Sequence, residues 1–349
     1  MNPNESYFNL SGASSTTLPT SLTRQSSRLC EIHPTTKNLA TALLLIAICT
    51  VTVCGNLAVC LTVCANRILH TTTYLLIFSL AVADLLVSLL SMPFRIHFLL
   101  HNKQWCLGKN ACALWVWVDL VSCSASIGSL AAVSIERFIA VKYPLRYQAL
   151  MTQRTALVMI VIVWCYSAFW AFLGHYNWSD RQVETYETVY FICGKKDRLY
   201  YTIVAALAFF LPLGIIIGTY SYITRVAFRQ RRRNLRNVVR PAESTQAIKT
   251  IRVLQELKAA KMMACVVGVF CVCWLPFFIL LYVSLWRGLK RNPAIGEIFR
   301  TILPNLNSSV NPFIYMLFTR DLRLLVGKML LKTLPVLRVC RSNAQNSVK

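Results

Sequence analysis

Charge is scarce in this 349-residue chain. Asp, Glu, Lys and Arg make up 14% of it, 56% is hydrophobic, and mean hydropathy is +0.52. A soluble domain carries about 25% charge, so the balance excludes an ordinary soluble globule and indicates a membrane protein. Acids are scarcer still, 13 against 37 Lys and Arg, giving a formal net charge of +24. The bases crowd into particular loops and the tail, which is a topological bias and not a nucleic-acid footprint, so no nucleic-acid partner is expected. No strand pattern and no long internal repeat appears. Neither a nucleophile–base pair nor a metal-ligand cluster stands among the polar groups of the apolar stretches, so an enzyme is not expected. Residues 1–37 lack the 7–15-residue apolar core of a signal peptide. Rich in Ser, Thr and Asn, they read as a disordered extracellular tail.

What is present is a series of seven apolar stretches, at 39–65, 73–99, 109–140, 154–174, 200–227, 259–286 and 295–318, each of bilayer-crossing length. The expected fold is an all-α membrane protein, a seven-transmembrane helix bundle occupying residues 38–333. An odd number of spans argues against a two-half inverted-repeat transporter. The first, third and fifth linkers hold Arg67; Lys142, Arg146 and Arg154; and the run RQRRRNLR around Arg231. The positive-inside rule makes these cytoplasmic and the N-terminus extracellular. The glycosylation sequons at Asn4, Asn9 and Asn177, and the acids Glu184 and Glu187, agree with that orientation. After the seventh span, RDLRLLVGKMLLKTL reads as a short amphipathic helix on the inner leaflet, followed by a cytoplasmic tail, 334–349, in which Cys340 is a palmitoylation candidate. Bases such as Arg229, Arg231, Arg232, Arg233 and Arg236 fit membrane lipid as a partner.

The third span carries a buried acid, Asp119, and ends at Arg137. Eighteen residues separate the two, about five helical turns or roughly 27 Å, so they share one face. A charge inside a membrane helix is costly and marks a functional site facing the bundle interior. Asp84 is the second deep acid. Ser126 lies two turns inward of Asp119, and Asn307, Ser308 and Asn311 gather beside Pro312. A carboxylate, a hydroxyl and amides converging at mid-membrane suit a small cation such as sodium; the alternative is a neutralised or water-bonded Asp84. Of 14 cysteines, most lie in apolar spans as small hydrophobes. Cys30, Cys106, Cys112 and Cys193 are extracellular and allow three pairings.

Asn56 in GNLAV, Asp84 in LAVADLL, Trp105 before Cys112, the ERF triplet at Glu136–Phe138, Trp164, Pro212 with Tyr220, CWLP at Cys273–Pro276 and NPFIY at Asn311–Tyr315 stand in order along the chain. Together they resemble the rhodopsin-like (class A) G-protein-coupled receptors, with at least one such mark in every span. The resemblance implies a disulfide Cys112–Cys193, which leaves Cys30 to Cys106. It implies that Arg137 contacts a heterotrimeric G protein when active and pairs with Glu136 and Glu256 at rest. Trp274 would lie beneath the ligand, Pro276 would hinge the sixth helix beside the Pro312 kink of the seventh, and Tyr220 and Tyr315 would turn inward on activation. Arrestin and receptor kinases would be further partners, the plasma membrane the location, and an allosteric sodium ion the one cofactor candidate. The light receptors of this family need a lysine in the seventh span, and 295–318 has none.

Asp119 stands where biogenic-amine receptors carry the carboxylate that pairs with a ligand ammonium. The implied ligand set is Asp119, Cys123, Val204, Ala208, Trp274, Phe277, Phe278, Thr301 and Asn305, with Trp117 nearby for cation–π contact. Val204, Ala205 and Ala208 replace the serines of catecholamine receptors, so a non-catechol amine is expected. Asn305 and Ile302 replace the usual Tyr and Trp, the fourth span lacks its outer proline, and Glu136 replaces the common Asp, a divergent pattern. The competing reading is an internal salt bridge. Arg95 lies eleven residues after Asp84, about three turns, and faces inward unless Pro93 rotates it away. If it neutralises Asp119, a zwitterionic or peptide ligand gains.

Overall fold

The computed structural model describes residue 30, residues 32–174, residue 193 and residues 198–237, 244–287 and 296–333. Every regular element among them is helical. In a membrane each backbone polar group must be satisfied within the segment, and apolar runs of this length meet that demand only as helices. In chain order they are α1 (Thr36–Ala65), α2 (Thr72–Leu86, a π segment at Val87–Ser91, then Met92–Leu100) and α3 (Gly108–Lys142). Then come α4 (Gln153–Leu173), α5 (Arg198–Val204, a π segment at Ala205–Phe210, then Leu211–Asn237) and α6 (Ser244–Arg287). Last are α7 (a π segment at Ile298–Ile302, then Leu303–Phe318) and α8 (Arg320–Thr333). Thr35 and Thr152 cap α1 and α4 by accepting from the Asn38 and Thr155 amides.

Six of the described helices are long and apolar enough to cross a membrane. The seventh, α7, falls short by that measure because its α-helical part is 16 residues and carries Asn305, Asn307, Ser308, Ser309 and Asn311, all buried. It packs between α1 and α6 as the seventh member of the bundle. At the centre lies α3, touching α2, α4, α5 and α6. Its Ile127, Leu130 and Val133 pack with Leu76 and Leu80 of α2, Leu213 and Ile216 of α5 and Tyr315 of α7. Apolar side chains such as Leu43, Val161, Ile162, Phe169 and Val272 face outward, as lipid requires.

Between helices in lipid, close packing and polar bonds replace the hydrophobic effect as the adhesive force. Trp164 donates from Nε1 to Ser79 Oγ at 3.0 Å, and Ser79 meets Ser129 at 3.2 Å, joining α4, α2 and α3. Asn56 donates to the Ser308 carbonyl at 3.1 Å, joining α1 to α7. Gly128 lets α3 approach α4 so closely that a Cβ there would lie 2.8 Å from Val163 Cγ1. The last helix, α8, is amphipathic, with Leu322 and Val326 buried while Arg320, Asp321 and Arg323 are exposed. Asn4, Asn9, Asn177 and Cys340 lie outside the described residues, as do the side chains of Glu256 and of the bases at 231–236.

Candidate ligand-binding site and the axis below it

Helical spacing stacks Trp115, Asp119 and Cys123, four residues apart, on one face of α3. That face, with α5 and α6, encloses a cavity of about 240 Å³. Ser91 and Arg95, also four apart, reach Asp119 from α2. Ser91 Oγ donates to Asp119 Oδ1 at 2.5 Å, and Arg95 Nη2 lies 3.4 Å from both carboxylate oxygens. Pro93 does not turn Arg95 away. It sits in the first turn after the π segment, where the helix runs on past the missing N–H and the Ser88 carbonyl accepts from Cys49 Sγ at 3.2 Å. The Trp115 indole donates to Ser91 at 3.2 Å, underlies the Arg95 guanidinium at 5.5 Å and stacks on Trp105 at 5.2 Å. The acid is thus braced on one side, yet 35% of its side chain remains exposed.

The other walls are mostly apolar, with Ser124 and Tyr201 as the polar members. Val204, Ala205 and Ala208 of α5 line the cavity with Phe209, Phe270, Trp274, Phe277 and Phe278. Phe209 lies 3.9 Å from Phe278 and 6.2 Å from Trp274 by ring centroids, while Trp274 meets Phe277 edge-on at 5.6 Å. Of the expected ligand set, Asp119, Cys123, Val204, Ala208, Trp274, Phe277 and Phe278 therefore come together here. Asn305 instead lines a narrow recess of about 30 Å³ below, shared with Asp119, Cys123 and Ser126. Thr301 lines neither space; its carbonyl accepts from Asn305 Nδ2 at 2.5 Å. The aromatic contributed by α3 is Trp115 and not Trp117, because two residues turn the helix by about 200°. The spacing of four that picks Cys123 below Asp119 also picks Trp115 above it. No sequence signal marked Phe209 or Ser91.

The recess leads to the deep polar cluster. Asn311 Nδ2 donates to Asp84 Oδ2 at 2.8 Å, with Asp84 fully buried. Asp84 Oδ1, Ser126 Oγ and Asn307 Oδ1 are buried with no partner in hydrogen-bonding geometry. Such orphaned oxygens are costly and call for a water or a hard cation. Ser308 is buried beside them, its carbonyl taken by Asn56. Nearby, the Tyr220 and Tyr315 hydroxyls are likewise buried and unpartnered. Pro276 and Pro312 both lie inside their helices, removing one backbone bond each.

At the far end of α3, Arg137 donates from Nε to Glu136 Oε2 at 2.5 Å and from Nη2 to Oε1 at 2.8 Å. Glu136 is fully buried, which its charge tolerates only because donors surround it. Thr73 donates to its Oε1 at 3.0 Å, Arg137 also contacts Thr73, and the Tyr147 hydroxyl donates to the same carboxylate. Burial and the Glu136 carboxylate push the Tyr147 hydroxyl up to about 12, so it stays a donor at physiological pH.

The Asp119 end is capped covalently and ionically. Cys112–Cys193 and Cys30–Cys106 are both bonded. Asn102 and Lys103 take left-handed backbone, which Asn accommodates better than most residues. Asn102 accepts from the Thr35 amide at 2.9 Å and donates to the His33 carbonyl at 2.6 Å. Lys103 reaches Glu297 at 3.2 Å, with Lys37 at 3.6 Å on the same buried carboxylate. Glu297, at the edge of the seventh apolar stretch, was not marked by the sequence as a buried acid.

A family model of the 7 transmembrane receptor (rhodopsin family) matches residues 55–315. The chain is 36% identical to the histamine H2 receptor of Cavia porcellus over 288 residues, 81% of this chain and 77% of that receptor. It is 36% identical to the histamine H2 receptor of Homo sapiens over 280 residues, 78% of this chain and 74% of that receptor. With the alpha-1A adrenergic receptor of Oryzias latipes it shares 33% identity over 299 residues, 78% of this chain and 62% of that receptor. Seven packed helices, an acid-bearing cavity at one end of α3, a braced arginine at the other and these similarities lead to one conclusion: the chain belongs to the rhodopsin-like family of G-protein-coupled receptors, on the side of that family where the amine receptors stand.

Proposed function

We propose that this receptor binds a small, non-catechol ligand carrying an ammonium group at Asp119, and that the Arg137 end then activates a heterotrimeric G protein. The observation that carries the reading is the Asp119 carboxylate itself, part-exposed beside a cavity of about 240 Å³ in which no other acid lines the wall among the described residues. A carboxylate partly withdrawn from water attracts a cation, and the aromatic faces of Trp274, Phe277 and Phe278 add cation–π attraction. Small size speaks against a peptide filling the cavity, since ligand pockets usually span about 300–1,000 Å³. Val204, Ala205 and Ala208 of α5 offer no hydroxyl where catecholamine receptors place serines, although Tyr201 one turn away also lines the cavity.

In the same reading the Asp119 end faces the cell exterior, supported by the sequons at Asn4, Asn9 and Asn177 and by the basic linkers at the opposite end. The plasma membrane is the location, with arrestin and receptor kinases as further partners and the exposed Arg229 suited to anionic lipid. Asp84, Ser126, Asn307, Ser308 and Asn311 supply oxygens that fit a sodium ion, which would favour the resting arrangement. The ligand test is Asp119→Asn in a cellular signalling assay against a panel of amines. Loss of about 100-fold or more in amine potency is expected, since the charge that pairs with the ammonium is removed from a partly enclosed site. Amine responses that survive unchanged, or a receptor answering only to peptides, would refute the assignment.

A further inference from the structure

A ligand with a single positive charge meets a difficulty in this cavity. Asp119 already has a cation beside it, Arg95, and the two lie on the same wall. Their contact is loose. Both Arg95–Asp119 distances are 3.4 Å, against about 2.7–2.9 Å for a well-formed charged hydrogen bond. Only Nη2 of Arg95 is engaged with the acid, while its Nε is buried with no partner. The guanidinium therefore meets the acid through one nitrogen only, short of the two-point grip that its fork can give a carboxylate. Arg300 of α7 brings a second guanidinium to the recess below Asp119, held beside α6 by a 3.1 Å bond to the Leu280 carbonyl.

A simple amine taking Asp119 would pull it from Arg95 and leave a guanidinium only 19% exposed without its counter-ion, which is unfavourable. A ligand carrying both signs strands nothing. Its ammonium replaces Arg95 on Asp119, and its acid group replaces Asp119 on Arg95. The resting ion pair is exchanged for two ligand pairs with no change in the net charge of the site and no charge left without a partner.

We propose that the ligand is a zwitterion of the amino-acid type, with Arg95 as the receptor for its carboxylate. This rests on the reading that an ammonium binds Asp119, and it adds a second, opposite requirement. Ser91 keeps its 2.5 Å bond to Asp119 throughout and holds the acid in place during the exchange. Trp115, under the guanidinium at 5.5 Å, does the same for Arg95. The aromatic wall from α5 and α6 takes the side chain of the amino acid. A site built around a fixed polar group discriminates steeply against analogues that lack its partner, by about 10⁴-fold in the best cases.

The experiment uses the full-length receptor in cells and matched probes differing by one carboxylate: histamine and histidine, tyramine and tyrosine, tryptamine and tryptophan. In at least one pair the amino acid is expected to signal at a concentration at least about 100-fold below that of its amine. Arg95→Gln should bring the two members of that pair to within about tenfold, while Arg95→Lys keeps part of the preference; Arg300→Gln should weaken the amino acid alone. Surface staining of an N-terminal epitope tag shows that each variant is folded and delivered. If the amines are the more potent members and depend on Asp119, the acid subsite is wrong and the ammonium reading stands. If amino-acid responses are indifferent to Asp119→Asn but lost in Arg95→Gln, the ammonium reading falls, and with it the two-point exchange. Silence toward every pair overturns both.

Discussion

Replacing Glu136 by Gln isolates the charge of one buried carboxylate from its shape. That carboxylate accepts two bonds from Arg137, at 2.5 and 2.8 Å, and further bonds from Thr73 and Tyr147. The amide has one acceptor oxygen where the carboxylate has two, and it turns an NH₂ toward a donor. A hydrogen bond to a charged group contributes about 1.5–3 kcal/mol and a neutral one about 0.5–1.5 kcal/mol. Losing the charged character of both Arg137 bonds therefore weakens the resting pair by about 2–3 kcal/mol. If activation draws Arg137 away from Glu136, this difference falls on the resting state alone. At about 1.4 kcal/mol per factor of ten, the active population rises roughly 30- to 100-fold. The readout is ligand-independent nucleotide exchange across a panel of G proteins, normalised to surface receptor. Basal exchange at or below the wild-type level, with normal surface delivery, would refute the idea that the Glu136–Arg137 pair restrains the resting receptor.

Two further outcomes follow from the packing and the deep polar cluster. Gly128→Ala places a methyl group 2.8 Å from Val163 Cγ1 and should lower thermal stability through about 1–3 kcal/mol of overpacking, with recovery in the Gly128→Ala, Val163→Ala double variant; a single variant as stable as the parent would show that α3 and α4 are not in tight register. Asp84→Asn should abolish any dependence of agonist affinity on sodium chloride when choline chloride holds the ionic strength, and a salt effect that survives the substitution would exclude a sodium site at Asp84, Ser126 and Asn307.

The bundle was legible because its signal is extreme: long apolar runs permit only one backbone solution. The Arg137 end was legible through the resemblance of the ERF triplet to a family pattern, which implied the pairing with Glu136. The Asp119 end was legible in part. Helical periodicity placed Asp119, Cys123 and Ser126 on one face, but it does not state which neighbouring helix that face meets. The position of Arg95 depended on how Pro93 and the π segment before it divide the turn, which the sequence does not reveal. Phe209 sits within a second π segment, where spacing by 3.6 residues no longer predicts direction. Thr301 was assigned by likeness to a family pattern and is turned aside in the third. Glu297 gives no periodic signal, since its burial comes from Lys37 and Lys103, distant in sequence.

The three π segments, at Val87–Ser91, Ala205–Phe210 and Ile298–Ile302, all fall in the half of the bundle that holds Asp119. Each behaves as an α-helix with one residue inserted. Deleting that residue would restore the regular helix and rotate everything on one side of it by about 100° relative to the other. Single-codon insertions and deletions thus re-aim Arg95, Phe209 or Arg300 while leaving Glu136, Arg137 and Tyr147 untouched. Ligand chemistry and output occupy separately mutable halves of the same helices, so a lineage of such receptors can change what it detects without relearning how to report it.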